Sequence, residues 1–345
     1  MPDDLTYAKA GVDINVTDAA KRTMAKSIDV GDSRVLNRMG AFASLLDGRF
    51  EGIEHPVLVF KTEEPGSKQK LAFDLGRVAS LACDLVNHLI DDIIVMGARP
   101  LYMQDCIVCG TIDPAAVTTL VTNMAAACRE QGCTLVGGET SVQPGVVPAG
   151  VYVLSASAIG VVDRPRIIDG SRTVEGDAVV GIASNGLHTN GYTLVRKLLD
   201  RNPALKDRPV GGERFIDVIM RPHLCYYHAV CGLFGSPGLK GLAHITGGGI
   251  QDNLNRILPP TLDAAIRLPA IRVPEVFRVI REEGSVPDAD MLRTFNMGVG
   301  LAAVCSPDAA PALVAHASEK GYMAYPIGEI VKGSGKIAYS GSVKW

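Results

Sequence analysis

The amino-acid sequence predicts an α+β protein built from two mixed α/β domains. Segments with strand-like and helix-like spacing of apolar residues alternate along the chain, yet several predicted strands follow one another without a helix between them. This pattern favours mixed domains over a doubly wound parallel sheet. The 345 residues suffice for two cores, and the pattern resets in a stretch bearing Pro and Gly, residues 164–176. We therefore expect an N-terminal domain of residues 1–168 and a C-terminal domain of residues 169–345.

The N-terminal half begins with a loosely structured arm. Within it, one helix is predicted for residues 18–27 because Asp18 suits an N-cap. Polar loops are expected at residues 61–68 and 137–148. The other segments are assigned by apolar spacing. The predicted strands are residues 56–60, 101–109, 133–136 and 151–162, and the predicted helices are residues 81–100 and 114–131.

The C-terminal half shows the same alternation. A polar loop, residues 184–190, lies between a strand and a helix that begins at Gly191, and residues 202–212 look like an exposed insertion. A further strand precedes a glycine run at residues 246–249. The other predicted strands are residues 178–183, 263–268, 298–305 and 324–329, and the other predicted helices are residues 222–234, 251–258, 274–283 and 307–320.

Composition argues against several classes of function. The net charge of -3 and the absence of any Lys/Arg run argue against a nucleic-acid partner. The apolar runs are short and interrupted by Gly, Asp or Arg, so no membrane span is expected. The first thirty residues carry five aspartates and no apolar segment, so we expect no secretory signal and a cytoplasmic protein.

Four of the eight cysteines need an interpretation. Cys106 and Cys109 form a Cys-x-x-Cys pair, and Cys128 and Cys133 follow, so a zinc or redox site is one interpretation. However, the first pair falls in a predicted strand, where residues three apart point to opposite faces. Reduced, mostly buried structural thiols are therefore preferred.

A polar stripe runs along the predicted helix of residues 81–100. Its apolar residues recur at helical spacing, whereas Asp84, His88, Asp91 and Asp92 share the other side. Like charges so close repel one another, and a solvated face usually places lysines between them. The stripe is therefore either a cation or phosphate site or a merely polar face.

The loop of residues 61–68 ends in Gly-Ser-Lys, as a P-loop does. A P-loop is excluded because its first glycine would fall on Lys61. Glu63 and Glu64 precede Lys68, so the loop is either solvated or supplies the carboxylate and ammonium groups of a magnesium–phosphate site.

Three further motifs lie next to predicted strands. Residues 137–140 (Gly-Gly-Glu-Thr) follow a strand and aim a carboxylate from its end, unless they form a plain turn. Residues 184–191 gather hydroxyl, amide and imidazole groups at a helix start, which suits a phosphate or polar ligand, or an ordinary N-cap. Residues 246–249 (Thr-Gly-Gly-Gly) occupy the same kind of position, and their loss of backbone entropy favours a close ligand or backbone contact.

The isolated histidines are weaker signals. His223 and His228 lie five residues apart, off one helical face, and are interpreted as packing or surface residues. His55, His244 and His316 receive the same interpretation. The sequence holds no nucleophile-elbow or His-Glu-x-x-His motif, so acyl-enzyme chemistry and zinc chemistry are both excluded.

The motifs resemble one family over nearly the whole chain. The matching segments include residues 7–14 (Tyr-Ala-Lys-Ala-Gly-Val-Asp-Ile), 56–59, 84–86, 137–140, 184–196 with its His-Thr-Asn-Gly-Tyr, 246–249 and 293–300 (Arg-Thr-Phe-Asn-Met-Gly-Val-Gly). In this order and at these separations they are similar to phosphoribosylformylglycinamidine cyclo-ligase, the aminoimidazole ribonucleotide synthetase.

The resemblance implies an enzyme of purine synthesis. Such an enzyme uses ATP and Mg²⁺ to phosphorylate the formyl amide oxygen of formylglycinamidine ribonucleotide, after which an amidine nitrogen closes the imidazole ring. It also implies a homodimer whose N-terminal domains build a shared β-barrel with helices outside, a C-terminal α/β sandwich, and ATP in a cleft near the interface. This chemistry needs metal and lysine around the phosphates and no covalent nucleophile, which fits the residue inventory.

Three departures fall in the part expected to hold ATP. The family's Gly-Gly-Phe-Gly is Gly-Ala-Phe-Ala at residues 40–43, and its Thr-Asp-Gly-Val-Gly-Thr-Lys is Thr-Glu-Glu-Pro-Gly-Ser-Lys at residues 62–68. Its Asn-Asp is here Asp91-Asp92. The proline removes backbone freedom, and the glutamate adds a charge that repels phosphate unless a cation intervenes. Residues 96–100 are similar instead to the wider superfamily of formylglycinamidine synthetases, thiamine-phosphate kinases and selenophosphate synthetases.

Motif positions then imply a set of site residues. The catalytic candidates are Asp92, Lys68 and His188, with Lys68 on the ATP phosphates. The metal candidates are Asp92, Glu63, Asp84 and Asp91. The ATP- and phosphate-binding candidates are Gly40, Thr62, Gly66, Ser67, Gly137, Gly138 and Thr140. The candidates for binding the ribonucleotide substrate are Glu139, Thr189, Asn190, Thr246, Gly247, Gly248 and Gly249.

Two alternative functions stay open because of the altered loop, residues 61–68. One is a superfamily kinase or ligase that phosphorylates a different amide or acid. The other is a catalytically weakened paralogue that serves as a binding or regulatory subunit.

Overall fold

The computed structural model describes residues 31–37 and 42–345, together with the single positions 18, 19, 23, 24 and 28. Gly40 and most of the helix predicted for residues 18–27 lie outside the described residues.

The first domain is a mixed four-stranded sheet with helices packed on it. In chain order its elements are β1 (Pro56–Glu63), α1 (Lys68–Asp74), α2 (Val78–Ile94), β2 (Arg99–Cys109), α3 (Pro114–Glu130), β3 (Thr134–Val142) and β4 (Tyr152–Asp163). The strand order is β1-β4-β2-β3. The β2–β3 pair is parallel because α3 carries the chain back between them, and the other pairs are antiparallel.

Two helices cover this sheet and form the first core. The apolar side of α2 is buried against β1, β4 and α3. Helix α3 begins at Pro114 because the Asp113 side chain accepts hydrogen bonds from the amides of Ala115 (2.9 Å) and Ala116 (3.3 Å). The two helices therefore fix where the polar stripe of α2 points.

The second domain is built on a six-stranded sheet in the order β12-β9-β11-β5-β10-β8. Its β12–β9 pair is parallel and its other pairs are antiparallel. Its strands are β5 (Ala178–Ala183), β8 (Leu239–His244), β9 (Leu262–Arg267), β10 (Val299–Cys305), β11 (Ala324–Lys332) and β12 (Ile337–Ser340), and a separate hairpin pairs β6 (Pro209–Val210) with β7 (Glu213–Arg214). Its α-helices are α4 (Tyr192–Arg201), α5 (Phe215–Ile219), α6 (Tyr227–Val230), α7 (Gly249–Leu254), α8 (Glu275–Gly284), α9 (Asp288–Thr294) and α10 (Ala310–Glu319). Mixed α/β content is thus confirmed for both domains.

Three sequence-based assignments were wrong. Residues 137–140 continue β3 rather than forming a loop, because pairing with β2 satisfies their backbone. Residues 61–63 belong to β1. The helix predicted for residues 222–234 shrinks to α6 followed by a 3₁₀ turn, Cys231–Leu233. The sequence analysis also missed α1, α9 and β12, which are short.

The cysteines have the surroundings expected of structural thiols. All eight are free thiols and five are buried, including Cys109, Cys128 and Cys133. Among the described helices, none combines the length and apolar character needed to cross a membrane.

Candidate functional site

The polar stripe of α2 faces the second domain rather than bulk solvent. The backbone amides of His223 and Tyr226 donate hydrogen bonds to Asp84 Oδ1 (2.8 Å) and Asp91 Oδ1 (2.7 Å). The Asn87 side chain donates to the carbonyl oxygen of His223 at 2.6 Å. These three bonds tie residues 223–226 to α2. The stripe is therefore an interdomain seam.

Lys68 and Asp84 form a buried ion pair at one end of this seam. Both side chains have 0% exposure, and Lys68 Nζ donates to Asp84 Oδ1 at 2.8 Å. The same ammonium donates to the carbonyl oxygens of His188 (3.2 Å) and Arg221 (2.8 Å). Burial lowers the pKa of Lys68 and raises that of Asp84 to about 6, while each partner's charge opposes the shift. The pair joins α1, α2 and the second domain.

A histidine cluster occupies the centre of the seam. The rings of His188 and His223 stack with centroids 3.9 Å apart, and His223 Nε2 lies 3.1 Å from His244 Nε2. His88 Nδ1 lies 3.1 Å from Thr189 Oγ1. Burial lowers the pKa of His188 and of His223 well below the usual range, and lowers that of His88 to about 4.

Asp92 lies where the seam opens toward solvent. Its Oδ1 lies 2.9 Å from His244 Nδ1, and its Oδ2 lies 3.1 Å from Lys61 Nζ. Lys61 also reaches Glu63 Oε1 at 2.7 Å. Burial alone would raise the pKa of Asp92, but the hydrogen bond and charge of His244, with Lys61, hold it well below its usual range. We call Lys61, Glu63 and Asp92 the acidic mouth.

The altered loop links the acidic mouth to the second domain. Gly66 has a φ of 60°, and a Cβ there would lie 3.2 Å from the carbonyl oxygen of Thr189. Ser67 Oγ lies 3.1 Å from Thr193 Oγ1. Thr62 instead contacts its own sheet, with Oγ1 2.7 Å from Ser157 Oγ.

The predicted substrate-side residues of the second domain come together. A Cβ on Gly247 would lie 3.3 Å from Asn190 Oδ1, so the loops of residues 188–190 and 246–249 touch. Thr246 Oγ1 donates to Asn253 Oδ1 at 3.3 Å, and Asn253 Nδ2 donates to the carbonyl oxygens of Gly247 and Gly249. Gly248 (φ 93°) is the residue that precedes α7.

Within one chain, residues 137–140 lie far from the seam and from the acidic mouth. They belong to β3 at one edge of the sheet, whereas Thr62 and Glu63 belong to β1 at the other edge. Three strand spacings separate those edges, about 14 Å. Gly138 and Glu139 are exposed, and Gly137 and Thr140 are partly buried.

Sequence reasoning missed His223, His244 and Lys61 as members of the seam. His244 ends a strand just before the glycine run, which is a usable signal for a site. Lys61 was set aside when the P-loop was excluded. His223 has no local signal, because its role depends on contacts with residues far along the chain.

Two family models match the chain. Residues 52–162 match "AIR synthase related protein, N-terminal domain", and residues 174–340 match "AIR synthase related protein, C-terminal domain". These two matches place the chain in the class of two-domain AIR synthase related proteins.

Curated relatives narrow the class. A phosphoribosylformylglycinamidine cyclo-ligase from Bordetella parapertussis is 41% identical over 337 residues, covering 95% of this chain and 94% of the relative. One from Methylobacillus flagellatus is 40% identical over 341 residues, covering 96% of each. The chain belongs to the phosphoribosylformylglycinamidine cyclo-ligase family, a family of ligases. The resemblance inferred from the motifs is confirmed.

Solved structures share the fold at low identity. Escherichia coli HypE superposes with a TM-score of 0.68 and 17% identity, covering 94% of each chain. Thiamine-monophosphate kinase from Stenotrophomonas maltophilia K279a gives a TM-score of 0.64 and 19% identity, covering 94% of this chain and 97% of the kinase.

Proposed function

We propose that this protein closes the imidazole ring of aminoimidazole ribonucleotide, consuming ATP and formylglycinamidine ribonucleotide. The γ-phosphoryl group of ATP moves to the formyl amide oxygen, and ADP is released. The amidine nitrogen then attacks the same carbon and loses a proton, and inorganic phosphate departs with the oxygen. The identity of 40–41% to named cyclo-ligases over nearly the whole chain favours this reaction over the two alternatives.

The acidic mouth is the observation that carries the proposal at the level of residues. Two carboxylates, on β1 and on α2, approach a common point from separate elements. His244 keeps Asp92 ionised, so the carboxylate is ready to bind a cation. A phosphoryl-transfer enzyme needs such a cation site beside its phosphates.

Magnesium fits this donor set. The Lys61 ammonium already lies between Glu63 and Asp92, which makes it a stand-in for a cation at that point. Mg²⁺ favours a few carboxylate oxygens together with phosphate oxygens and water. When bound, it would neutralise charge on the transferred phosphoryl group. Asp84 and Asp91 lie deeper in the seam. There they bind Lys68 and the backbone amides of His223 and Tyr226, and they would act by holding those groups in place.

The protein's own groups would then orient the two substrates. The Lys61 ammonium, displaced from the carboxylates, is the nearest cation for the ATP phosphates. Asn190, with the adjoining loop of residues 246–249, offers amide and backbone donors for the ribonucleotide. Lys68 would support the loop of residues 188–190 by donating a hydrogen bond to the carbonyl oxygen of His188.

A homodimer would complete the first domain. The face of the sheet opposite the helices exposes Leu58 (59%) and Phe60 (67%), which are large apolar side chains on β1. A second copy of the chain packed on this face would remove these side chains from water. The sheets of the two copies would then form one shared structure. It would also provide a route for Glu139 on β3 to approach the partner's acidic mouth.

Replacement of Asp92 by Asn tests the reaction. We expect D92N to lower kcat by at least about 100-fold, because the amide cannot supply the anionic ligand. ADP and aminoimidazole ribonucleotide are measured with ATP, Mg²⁺ and formylglycinamidine ribonucleotide. D74N, at an exposed position of the same domain, serves as the control, and matched unfolding midpoints show that both variants fold.

The product pattern of the parent protein tests the proposal further. ADP release without ring closure would indicate a kinase or ligase for another amide or acid. Absence of both products despite ligand binding would indicate a binding subunit. Full activity of D92N would refute the role of the acidic mouth.

A further inference from the structure

Four side chains meet on the inner side of the seam, beneath the acidic mouth. His188, His223 and His244 come from the second domain, and Asp91 comes from α2 of the first. One ring nitrogen from each of the three histidines lies within 4.8 Å of the other two. Asp91 Oδ2 lies 3.4 Å from His223 Nε2 and 3.9 Å from His244 Nε2. All four residues are buried.

Three of these separations match the edges of a tetrahedral metal site, and the His188 ring, which stacks on His223 with centroids 3.9 Å apart, would have to turn to present a nitrogen to the same ion. With zinc–nitrogen bonds of about 2.0–2.1 Å, two ligand atoms of a tetrahedron are about 3.3 Å apart. The three measured separations around His223 Nε2, His244 Nε2 and Asp91 Oδ2 are 3.1, 3.4 and 3.9 Å and bracket that value.

Several of these atoms have lone pairs or protons without partners. Neither ring nitrogen of His188 has a hydrogen-bond partner among the described residues, although the side chain is 2% exposed. Asp91 Oδ2 accepts no hydrogen bond of good geometry from the described residues either. Buried polar atoms of native proteins are nearly always satisfied, so this concentration of unsatisfied atoms indicates a missing ligand.

Hydrogen bonds on the side away from the cluster already orient two of the proposed ligands, His244 and Asp91. Asp92 Oδ1 lies 2.9 Å from His244 Nδ1, which holds a proton on Nδ1, so that Nε2, on the side of the cluster, would bind a metal once it loses its own proton. The Tyr226 amide holds Asp91 through Oδ1, which leaves Oδ2 directed inward. A carboxylate behind a metal-binding imidazole is the usual outer support of zinc ligands.

We propose that Asp91, His188, His223 and His244 form a tetrahedral site for a transition-metal dication of the zinc type, which joins α2 to the second domain. Imidazole nitrogen suits zinc and its neighbours, whereas Mg²⁺ is bound through oxygen. The site is therefore distinct from the acidic mouth. A second grouping, His88, Asp92 and His244, is less suited because Lys61 and Thr189, which lie outside it, already bind Asp92 Oδ2 and His88 Nδ1.

Metal binding is measured on the untagged full-length protein without nucleotide or ribonucleotide. We expect about one dication per chain to survive gel filtration after loading with Zn²⁺, by elemental analysis, in the presence of excess Mg²⁺. Loading with Co²⁺ should give the intense visible bands of a tetrahedral site. Retention of no metal, or only the weak spectrum of octahedral Co²⁺, would overturn the proposal.

Variants assign the ligands. H223Q and D91N should each weaken Zn²⁺ binding by at least about 100-fold, because even loss of an outer support costs 10–100-fold. H55Q removes an exposed histidine outside the cluster and should bind as the parent does. Equal binding by H223Q and H55Q refutes the site, and the Co²⁺ spectrum of the parent decides the question if a variant does not fold.

The outcome is independent of the cyclisation reaction. An inactive protein that retains zinc contradicts the proposed reaction alone, and an active protein without zinc contradicts the metal site alone.

Discussion

At the scale of single residues, the buried pair Lys68–Asp84 makes a sharp prediction. K68M removes the ammonium and leaves the Asp84 charge in a site with 0% exposure. We expect the free energy of unfolding to fall by about 3–5 kcal/mol, measured by urea denaturation, because one partner of a buried ion pair is left uncompensated.

The same helix offers a matched control for this change. Lys70 forms an exposed i,i+4 ion pair with Asp74, for which K70M should cost at most about 1 kcal/mol. Equal losses of unfolding free energy for K68M and K70M would show that the buried ion pair of Lys68 stabilises the protein no more than an exposed one.

Asp105 on β2 gives a prediction about pH. Burial raises the pKa of its carboxyl to about 7. Between pH 4 and 7 the native state holds a proton that the unfolded chain releases, so this group makes the protein less stable as pH rises. D105N should remove that decline, by at most about 4 kcal/mol. Unfolding free energies of parent, D105N and the exposed-site control D200N at pH 5 and 8 provide the measurement, and parallel profiles for parent and D105N would contradict it.

At the scale of elements, the close packing of α2 on β4 depends on Gly160. A Cβ there would lie 2.4 Å from Ile93 Cγ2 and 2.9 Å from the carbonyl oxygen of Arg99. G160A should therefore lower the unfolding free energy by about 1–3 kcal/mol, since α2 must shift outward. G48A is the control, because its Cβ would meet nothing within 4 Å. Equal stability of the two variants would show that the helix adjusts freely.

Element-level prediction succeeded where local periodicity decides the structure. The apolar spacing of α2 and of α3 identified both helices. It failed where backbone groups find partners elsewhere in the chain. Residues 137–140 read as a loop because they contain two glycines, yet they pair with β2. The segment around His223 is not helical before Tyr227, and its amides bind carboxylates of α2.

At the scale of the whole molecule, the exposed face of β1 predicts the oligomeric state. F60K places a charge in the proposed dimer interface and should raise the dimer dissociation constant at least about 30-fold, a loss of roughly 2 kcal/mol. Sedimentation velocity of parent and variant measures it. V174K, at a 53% exposed position in the second domain, should leave the dimer intact. A parent protein that is monomeric throughout would refute the homodimer.

The candidate site depends on contacts between distant segments, which the sequence alone does not reveal. Asp84, His88, Asp91 and Asp92 shared a helical stripe and were identifiable together. Their partners come from three distant segments, near positions 188, 223 and 244, and only the docking of two domains brings them into contact. The ion pair of Lys68 likewise depends on where α1 lies, and α1 was not predicted.

The acidic mouth has a consequence for the order in which ligands arrive. Lys61, Glu63 and Asp92 together carry one net negative charge, so without a metal they repel a nucleotide's phosphates. Entry of the proposed dication would change that sum to one positive charge and free the ammonium. The polarity at this point would therefore invert on metal binding, and the nucleotide would be attracted only with its cation or after it.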